Sequence, residues 1–216
     1  MRMARPYHAG REGASRIISR PMYVPDMFRE DRPEVLHDAV RRIGFATLVT
    51  QGLEANHLPM LLTDGVLRGH VARANPVWKA GTGEALAVFL GPHAYVSPSW
   101  YPSKAETGKA VPTWNYITVH ARGTINWVQD PDWLRAHVSA LSDANEAGRE
   151  QPWSIADAPA SYIDGLVRAI VGFELTISKL EGKYKLSQNR DDADHAGART
   201  GLLRDGHDDV AQLMKR

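Results

Sequence analysis

ANHLPMLLTDGVLRGHVAR, residues 55–73, decides the fold. Two apolar-rich runs, 55–63 and 66–73, flank Asp64-Gly65. An Asp-Gly step between such runs marks a two-residue hairpin, because the turn needs left-handed backbone that these residues tolerate. With Asp64-Gly65 as the turn, Thr63 pairs with Val66 and the register is set. One face then carries Leu58, Met60, Leu62, Leu67 and Val71, and this is the expected core side. The other carries His57, Pro59, Leu61, Arg68, His70 and Ala72. Two imidazoles and a guanidinium are an unusual load for a face that meets only water.

The elements around this hairpin read in the same way. Pro33 to about Ile43 has helical apolar spacing, with Asp31 as the expected N-cap and Gly44 as the stop. FATLVT, 45–50, is rich in strand-forming residues. ALAVFL, 85–90, reads as a strand buried on both faces, and 91–113 as a long loop. Residues 115–128 alternate, with Ile117, Val119, Ala121 and Ile125 on one side and Tyr116, Thr118, His120 and Arg122 on the other. Helices are expected from Asp130-Pro131 to about Leu141 and over 160–169, then a strand over 171–180. EGKYKLSQNR, 181–190, reads as a compact turn, and the remaining C-terminal residues as a final helix. Antiparallel strands with a tight hairpin and peripheral helices predict an α+β chain, mainly antiparallel, built on a closed or partly closed barrel. Residues 1–21 are basic and lack an apolar segment, so they read as a flexible extension rather than a secretory signal. Residues 22–216 read as a single domain.

Composition narrows the function. The chain has no cysteine, which removes disulfides, thiolate metal sites and a cysteine nucleophile, and suits a cytoplasmic location. The net charge of +1 gives no overall basic excess for nucleic acid. No apolar run is long enough to span a bilayer.

Three stretches carry chemistry. GPHAYVSPSWYPSK, 91–104, and VPTWNY, 111–116, set Ser97, Ser99, Trp100 and Tyr101 close in sequence to Thr113, Trp114 and Asn115. Aromatic faces beside hydroxyls and a lysine suit a flat, charged ligand, or else a well-packed surface loop. LRGHVARANPVW, 67–78, brings Arg68, His70, Arg73 and Asn75 to a strand end before a helical turn. Such a place fits a phosphate, or arginines paired with surface carboxylates. Lys183, Lys185 and Gln188 form a third donor cluster, for an anion or for solvent. The spacings of His57, His70, His93 and His120 match no helical metal pair, so no metal site is expected. Ser97 and Ser99 lack a G-x-S-x-G elbow, and there is no G-x-G-x-x-G or Walker loop.

Taken together, MYVPDMF (22–28), ANHLPMLL (55–62), LRGHVARANPVWK (67–79), GPHAYVSPSWYPSK (91–104), VPTWNYITVHARG (111–123) and IVGFELTISKLEGKYKLSQNR (170–190) resemble the PaiB family of FMN-binding negative transcriptional regulators. The match runs in order from Met22 to the C-terminus; Tyr184 departs from it, standing where tryptophan is usual. The resemblance implies a split β-barrel of the pyridoxamine-phosphate-oxidase-like type, a homodimer, and FMN held at the subunit interface. It also implies repression of protease-synthesis and sporulation genes as the family's best-known role. By motif position it implies Arg68, His70, Arg73 and Asn75 for phosphate and ribityl contacts. Ser97, Ser99, Trp100 and Tyr101 would wall or hydrogen-bond the flavin, and Thr113, Trp114 and Asn115 would line the opposite side. Lys183, Lys185 and Gln188 would close the pocket, and His57 lies on the same hairpin face. Three functions stay open: a regulator, bound to DNA directly or acting without contact to it; an FMN-dependent oxidoreductase; and a haem-binding protein with His57 or His120 as axial ligand. No helix-turn-helix, zinc finger or basic region is legible.

Overall fold

A computed structural model describes residues 21–215. The extension expected over 1–21 therefore lies, apart from Pro21, outside the described residues. The strands are β1 (Arg29–Glu30), β2 (Phe45–Val49), β3 (Ala55–Pro59), β4 (Leu61–Thr63), β5 (Val66–Ala72), β6 (Gly83–Val96), β7 (Thr113–Val128) and β8 (Ile170–Lys185). The helices are α1 (Pro33–Ile43), α2 (Pro102–Thr107), α3 (Pro131–Glu146), α4 (Ala160–Arg168), α5 (Asp192–Arg204) and α6 (Asp208–Leu213).

The strand order is β3-β2-β6-β7-β8-β5-β4, with every pairing among the described residues antiparallel, and β1 joins β8. The two edges of this path, β3 and β4, are consecutive in the chain and are interrupted only by Met60, whose N–H donates to Gly44 O at 2.7 Å. One stretch therefore pairs with β2 at its start and β5 at its end, and this closes the sheet as a split β-barrel. The hairpin register is as the sequence predicts: Thr63 faces Val66, with positive φ at Asp64 (50°) and Gly65 (75°).

The barrel is filled by Leu48, Leu67, Phe89, Val119, Phe173 and Leu175, all fully buried. Burying each such side chain contributes about 1.5–3 kcal/mol. α1 closes the core with Leu36, Ala39 and Val40, and it ends at Gly44 in the left-handed region, φ 63°. Its N-cap is Arg32 rather than Asp31.

Three expectations need correction, and they share a cause. β6 runs from 83 to 96 with Leu90 54% exposed, so 85–90 is not buried on both sides. Most of the expected 91–113 loop is ordered structure: the end of β6, a 3-10 turn at Pro98–Trp100 and α2. β8 continues through 181–185, which is not a turn. In each case long strands run on past the barrel, past a β-bulge between Leu90 and His93 in β6. The extension stays stable because α5 and α6 bury Ala94, Val96, Ile117 and Leu186 beneath Leu202, Val210 and Met214. The C-terminal segment is thus two packed helices, not the single final helix expected.

Candidate cofactor-binding face

The outer surface of the barrel divides into a covered part and an open part. Arg68 and His70 alternate with the buried Leu67, Gly69 and Val71, so they point outward from β5. They do not reach solvent freely, because α3 lies over them. Arg68 Nε donates to Glu174 Oε1 at 2.9 Å, and Trp133 Nε1 donates to the same oxygen at 3.3 Å. His70 Nδ1 shares a hydrogen bond of 3.1 Å with His137 Nε2, and the His137 ring stacks on Trp133 at 5.2 Å. Burial lowers the pKa of His70, and burial followed by repulsion from His70 and Arg68 lowers that of His137 to about 4.

Arg73 is also occupied. Its Nε donates to Arg168 O at 2.7 Å, one terminal nitrogen to Gln129 Oε1 at 2.8 Å, and the other to Ile170 O at 3.0 Å. It clasps the junction of α4 and β8. Asn75 caps the 3-10 turn Pro76–Ala80 by accepting from Val77 N at 3.0 Å, and it donates to Asn56 Oδ1 at 2.6 Å.

The proline-aromatic stretch does not roof these groups. Ser97 caps the turn at Pro98–Trp100, and Ser99 accepts from Lys104 Nζ at 3.4 Å. Trp100 lies flat on α5, where a Cβ on Gly201 would stand 2.2 Å from its ring. Tyr101 is buried at 2% exposure in the same cluster, with the Arg190 guanidinium 4.4 Å from its ring centroid. Asn115 is fully buried, accepts from Ser187 Oγ at 3.1 Å and donates to Met214 Sδ at 3.4 Å. Gln188 folds back on its own turn, accepting from Leu186 N at 2.7 Å. These residues hold the C-terminal helices to the strand extension, on the side away from Trp114.

The open part is the outward surface of β3, β2, β6, β7 and the end of β8. In register across it lie His57, Thr47, Val88, His120 and Glu181. The rows toward the extension are Leu90, Thr118 and Lys183, then His93, Tyr116 and Lys185, then Tyr95 with Trp114. Leu90, Tyr95 and Trp114 are 54%, 45% and 52% exposed. The Trp114 ring meets Tyr95 edge-on at 6.1 Å.

The charges here are uneven. Glu181 is held by Arg122 at 3.2 Å and Lys179 at 2.8 Å; burial raises its pKa, but these two hydrogen bonds outweigh it and the net shift is down. Lys185 Nζ donates to Trp114 O at 2.6 Å and to the Thr113 hydroxyl. Burial, then Lys183 and Arg190, lower its pKa, and no carboxylate acts against them. His120 has its pKa lowered by burial and Arg122 against the pull of Glu181, and its buried Nδ1 has no hydrogen-bond partner.

Of the sequence candidates, then, His57, Thr113, Trp114, Lys183 and Lys185 come to this face or its rim. Arg68, His70, Arg73, Asn75, Ser97, Ser99, Trp100, Tyr101, Asn115 and Gln188 are engaged elsewhere. Tyr116, Thr118 and His120 belong to the face and were visible in the alternation of 115–128. Among the described residues, no group of three or more histidines and carboxylates is placed to hold a metal ion. No described helix is long and apolar enough to cross a membrane.

The fold defines a split barrel, and comparison with known proteins supplies its ligand class. The family described as "Putative FMN-binding domain" matches residues 22–179. The chain is 30% identical to the protease synthase and sporulation protein PAI 2 of Bacillus subtilis, covering 90% of this chain and 95% of that one. It is 32% identical to protein AN0679 of Emericella nidulans, covering 87% and 92%. Among solved structures, the FAD and heme binding protein from Mycobacterium smegmatis superposes with a TM-score of 0.58 at 18% identity, over 79% of each chain; that likeness is one of fold. The chain belongs to this PaiB-like family of FMN-binding domains, and FMN is its cofactor.

The open face fits that cofactor. A phosphate monoester needs cations, and Lys183 and Lys185 stand together with no carboxylate acting on Lys185. A flat ring needs an apolar floor, and Val88, Leu90 and Trp114 provide one. The ring's polar edge needs hydrogen-bond partners, and the imidazoles of His57 and His120 stand in register on this face. Among the described residues no helix encloses the face: the cavity of about 300 Å³ beside Asp143, Glu146 and Trp153 lies elsewhere and is acidic.

Proposed function

We propose that this protein works as a homodimer that holds FMN between the open face of one copy and the surface of a second. The observation that carries this reading is the uncompensated Lys183–Lys185 pair beside exposed Leu90, Tyr95 and Trp114. Exposed apolar side chains rimmed by polar ones mark an interaction surface, and a twofold contact would supply the missing wall. Lys183 and Lys185 bind the phosphate, the β6 and β7 side chains support the ring, and the second copy excludes water. Bound FMN supplies reversible electron acceptance.

A PaiB-like regulatory role then acts through the flavin rather than through reading of DNA. α5 begins with Asp192 and Asp194 and α6 with Asp208 and Asp209, a poor approach to phosphates. The basic turn of α1 is partly spent, since Arg42 pairs with Asp38 at 2.9 Å. The test combines sedimentation with FMN titration of the full chain, followed by filter binding to promoter DNA at modest salt. A flavin-loaded dimer without DNA affinity is the expected result. A monomer that binds FMN, or tight DNA binding by the flavin-free chain, overturns the reading.

A further inference from the structure

The MYVPDMF segment, 22–28, has no part in the barrel core beyond Phe28, yet it is closely tied to the open face. We propose that Tyr23 is a positioning residue of the flavin site: it aims the Lys183 ammonium at a phosphate monoester and so selects phosphorylated over unphosphorylated flavin. This rests on the reading of the open face as the FMN site.

The Lys183 Nζ lies 5.4 Å from the centroid of the Tyr23 ring and 5.6 Å from that of Tyr116. Two electron-rich faces flank one cation, which restricts where it can swing. Lys183 Nζ also donates to the Tyr23 carbonyl at 3.2 Å. An ammonium has three N–H donors, so this bond anchors it and leaves donors for an anion. Among the described residues Lys183 has no carboxylate partner, so the cage orients a cation without neutralising it.

The segment is held in place from several directions. Phe28 is buried, and β1 pairs Arg29 opposite Lys183 itself. Arg29 reaches back to Val24 O at 3.3 Å and Asp26 Oδ1 at 3.2 Å, which closes the loop that carries Tyr23. Tyr23 is nevertheless 82% exposed. A tightly tethered loop that leaves an aromatic ring in solvent, over a lysine on the open face, suits a ligand contact better than a packing role.

The experiment is a fluorescence titration of the full chain with FMN and with riboflavin, for the wild type, Lys183→Ala, Tyr23→Ala and Tyr23→Phe. The wild type prefers FMN, and Lys183→Ala loses most of that preference. Tyr23→Ala keeps the backbone carbonyl that anchors Lys183 but removes the ring, so it lowers FMN affinity about two- to fivefold, the scale of a cation–π contact at an exposed site, and leaves riboflavin affinity unchanged. Tyr23→Phe restores the preference, since the aromatic ring remains. Wild-type preference in Tyr23→Ala, or tighter FMN binding by it, overturns the role of Tyr23 alone. If the wild type shows no preference that Lys183→Ala removes, the reading of the face fails and the role of Tyr23 fails with it.

Discussion

The barrel presents two outer surfaces made of the same kinds of side chain, one covered and one open. Over β5 and the first half of β8, Arg68, His70 and Glu174 are matched with one another and with α3, so every charge has a local answer. Over β6, β7 and the end of β8, Lys183 and Lys185 stand among aromatic rings, and no carboxylate acts on Lys185. The difference lies in what covers each surface. α3 brings Trp133 and His137 to the first, whereas no described helix lies over the second, where only the Tyr23 loop reaches Lys183. A basic cluster in a sequence is therefore an ambiguous signal until the answering carboxylates and the covering helix are located. The following experiments set the two surfaces against each other, beginning with the largest effect.

Removing both open-face lysines should be the most damaging change to cofactor binding. Each charge-assisted contact is worth about 1.5–3 kcal/mol, so Lys183→Ala with Lys185→Ala should weaken FMN at least about a hundredfold. Equilibrium dialysis measures it, and a small loss would move the phosphate off this surface. The paired change Arg68→Ala, His70→Ala on the covered surface should lower stability instead and leave the folded fraction binding FMN normally.

Acid should act on the covered surface first. His70 and His137 are buried as neutral rings, with pKa values lowered by burial. A histidine pKa lowered by folding favours the native state when neutral. That stability is complete above about 6.5, the ordinary histidine value, and is lost as pH falls toward about 4. The cost on full protonation is about 2–4 kcal/mol, because two protonated rings would then face each other across the 3.1 Å contact. Urea midpoints between pH 7 and 4 measure this slope. His137→Gln, which keeps a hydrogen-bond partner for His70, should flatten it.

Arg73→Ala separates a clasp from a ligand. Its three nitrogens bind Arg168 O, Gln129 Oε1 and Ile170 O, and all are local. The expected outcome is a loss of about 1.5–3 kcal/mol in chemical denaturation with FMN affinity intact. Weakened FMN binding in a chain of normal stability would return Arg73 to the site.

The sequence carried the hairpin, the core alternation and the cofactor class well, because each rests on local pattern. Asp64-Gly65 set a register that the pairing of Thr63 with Val66 repeats. It left open which side chains share one face, because side-chain direction depends on partners far along the chain. Arg68 is answered by Glu174, and Asn115 by Met214. Both partners are about a hundred residues away, and nothing near Arg68 or Asn115 announces them. The 91–113 region hid its strand for a related reason. Proline, glycine and histidine break the alternation at the bulge after Leu90, while distant α5 and α6 supply the burial that keeps the strand regular. Tyr23 was within a recognisable motif, but its meaning depended on β1 pairing with the end of β8.

The smallest effect tests the floor of the open surface. Trp114 is 52% exposed and touches Tyr95 edge-on, so it contributes little to the fold. If the flavin ring rests there, Trp114→Ala removes one aromatic contact, worth about 0.5–1.5 kcal/mol beyond area burial. FMN and riboflavin should then weaken alike, by roughly two- to tenfold, since both present the same ring. Trp100→Ala is the matched change on the opposite side of the same strands. Trp100 packs on α5 at Gly201, so its loss should lower thermal stability and leave the affinity of both flavins unaltered. If the two tryptophans exchanged these phenotypes, the ring would lie on the C-terminal helix side, and the division into a covered and an open surface would have to be redrawn.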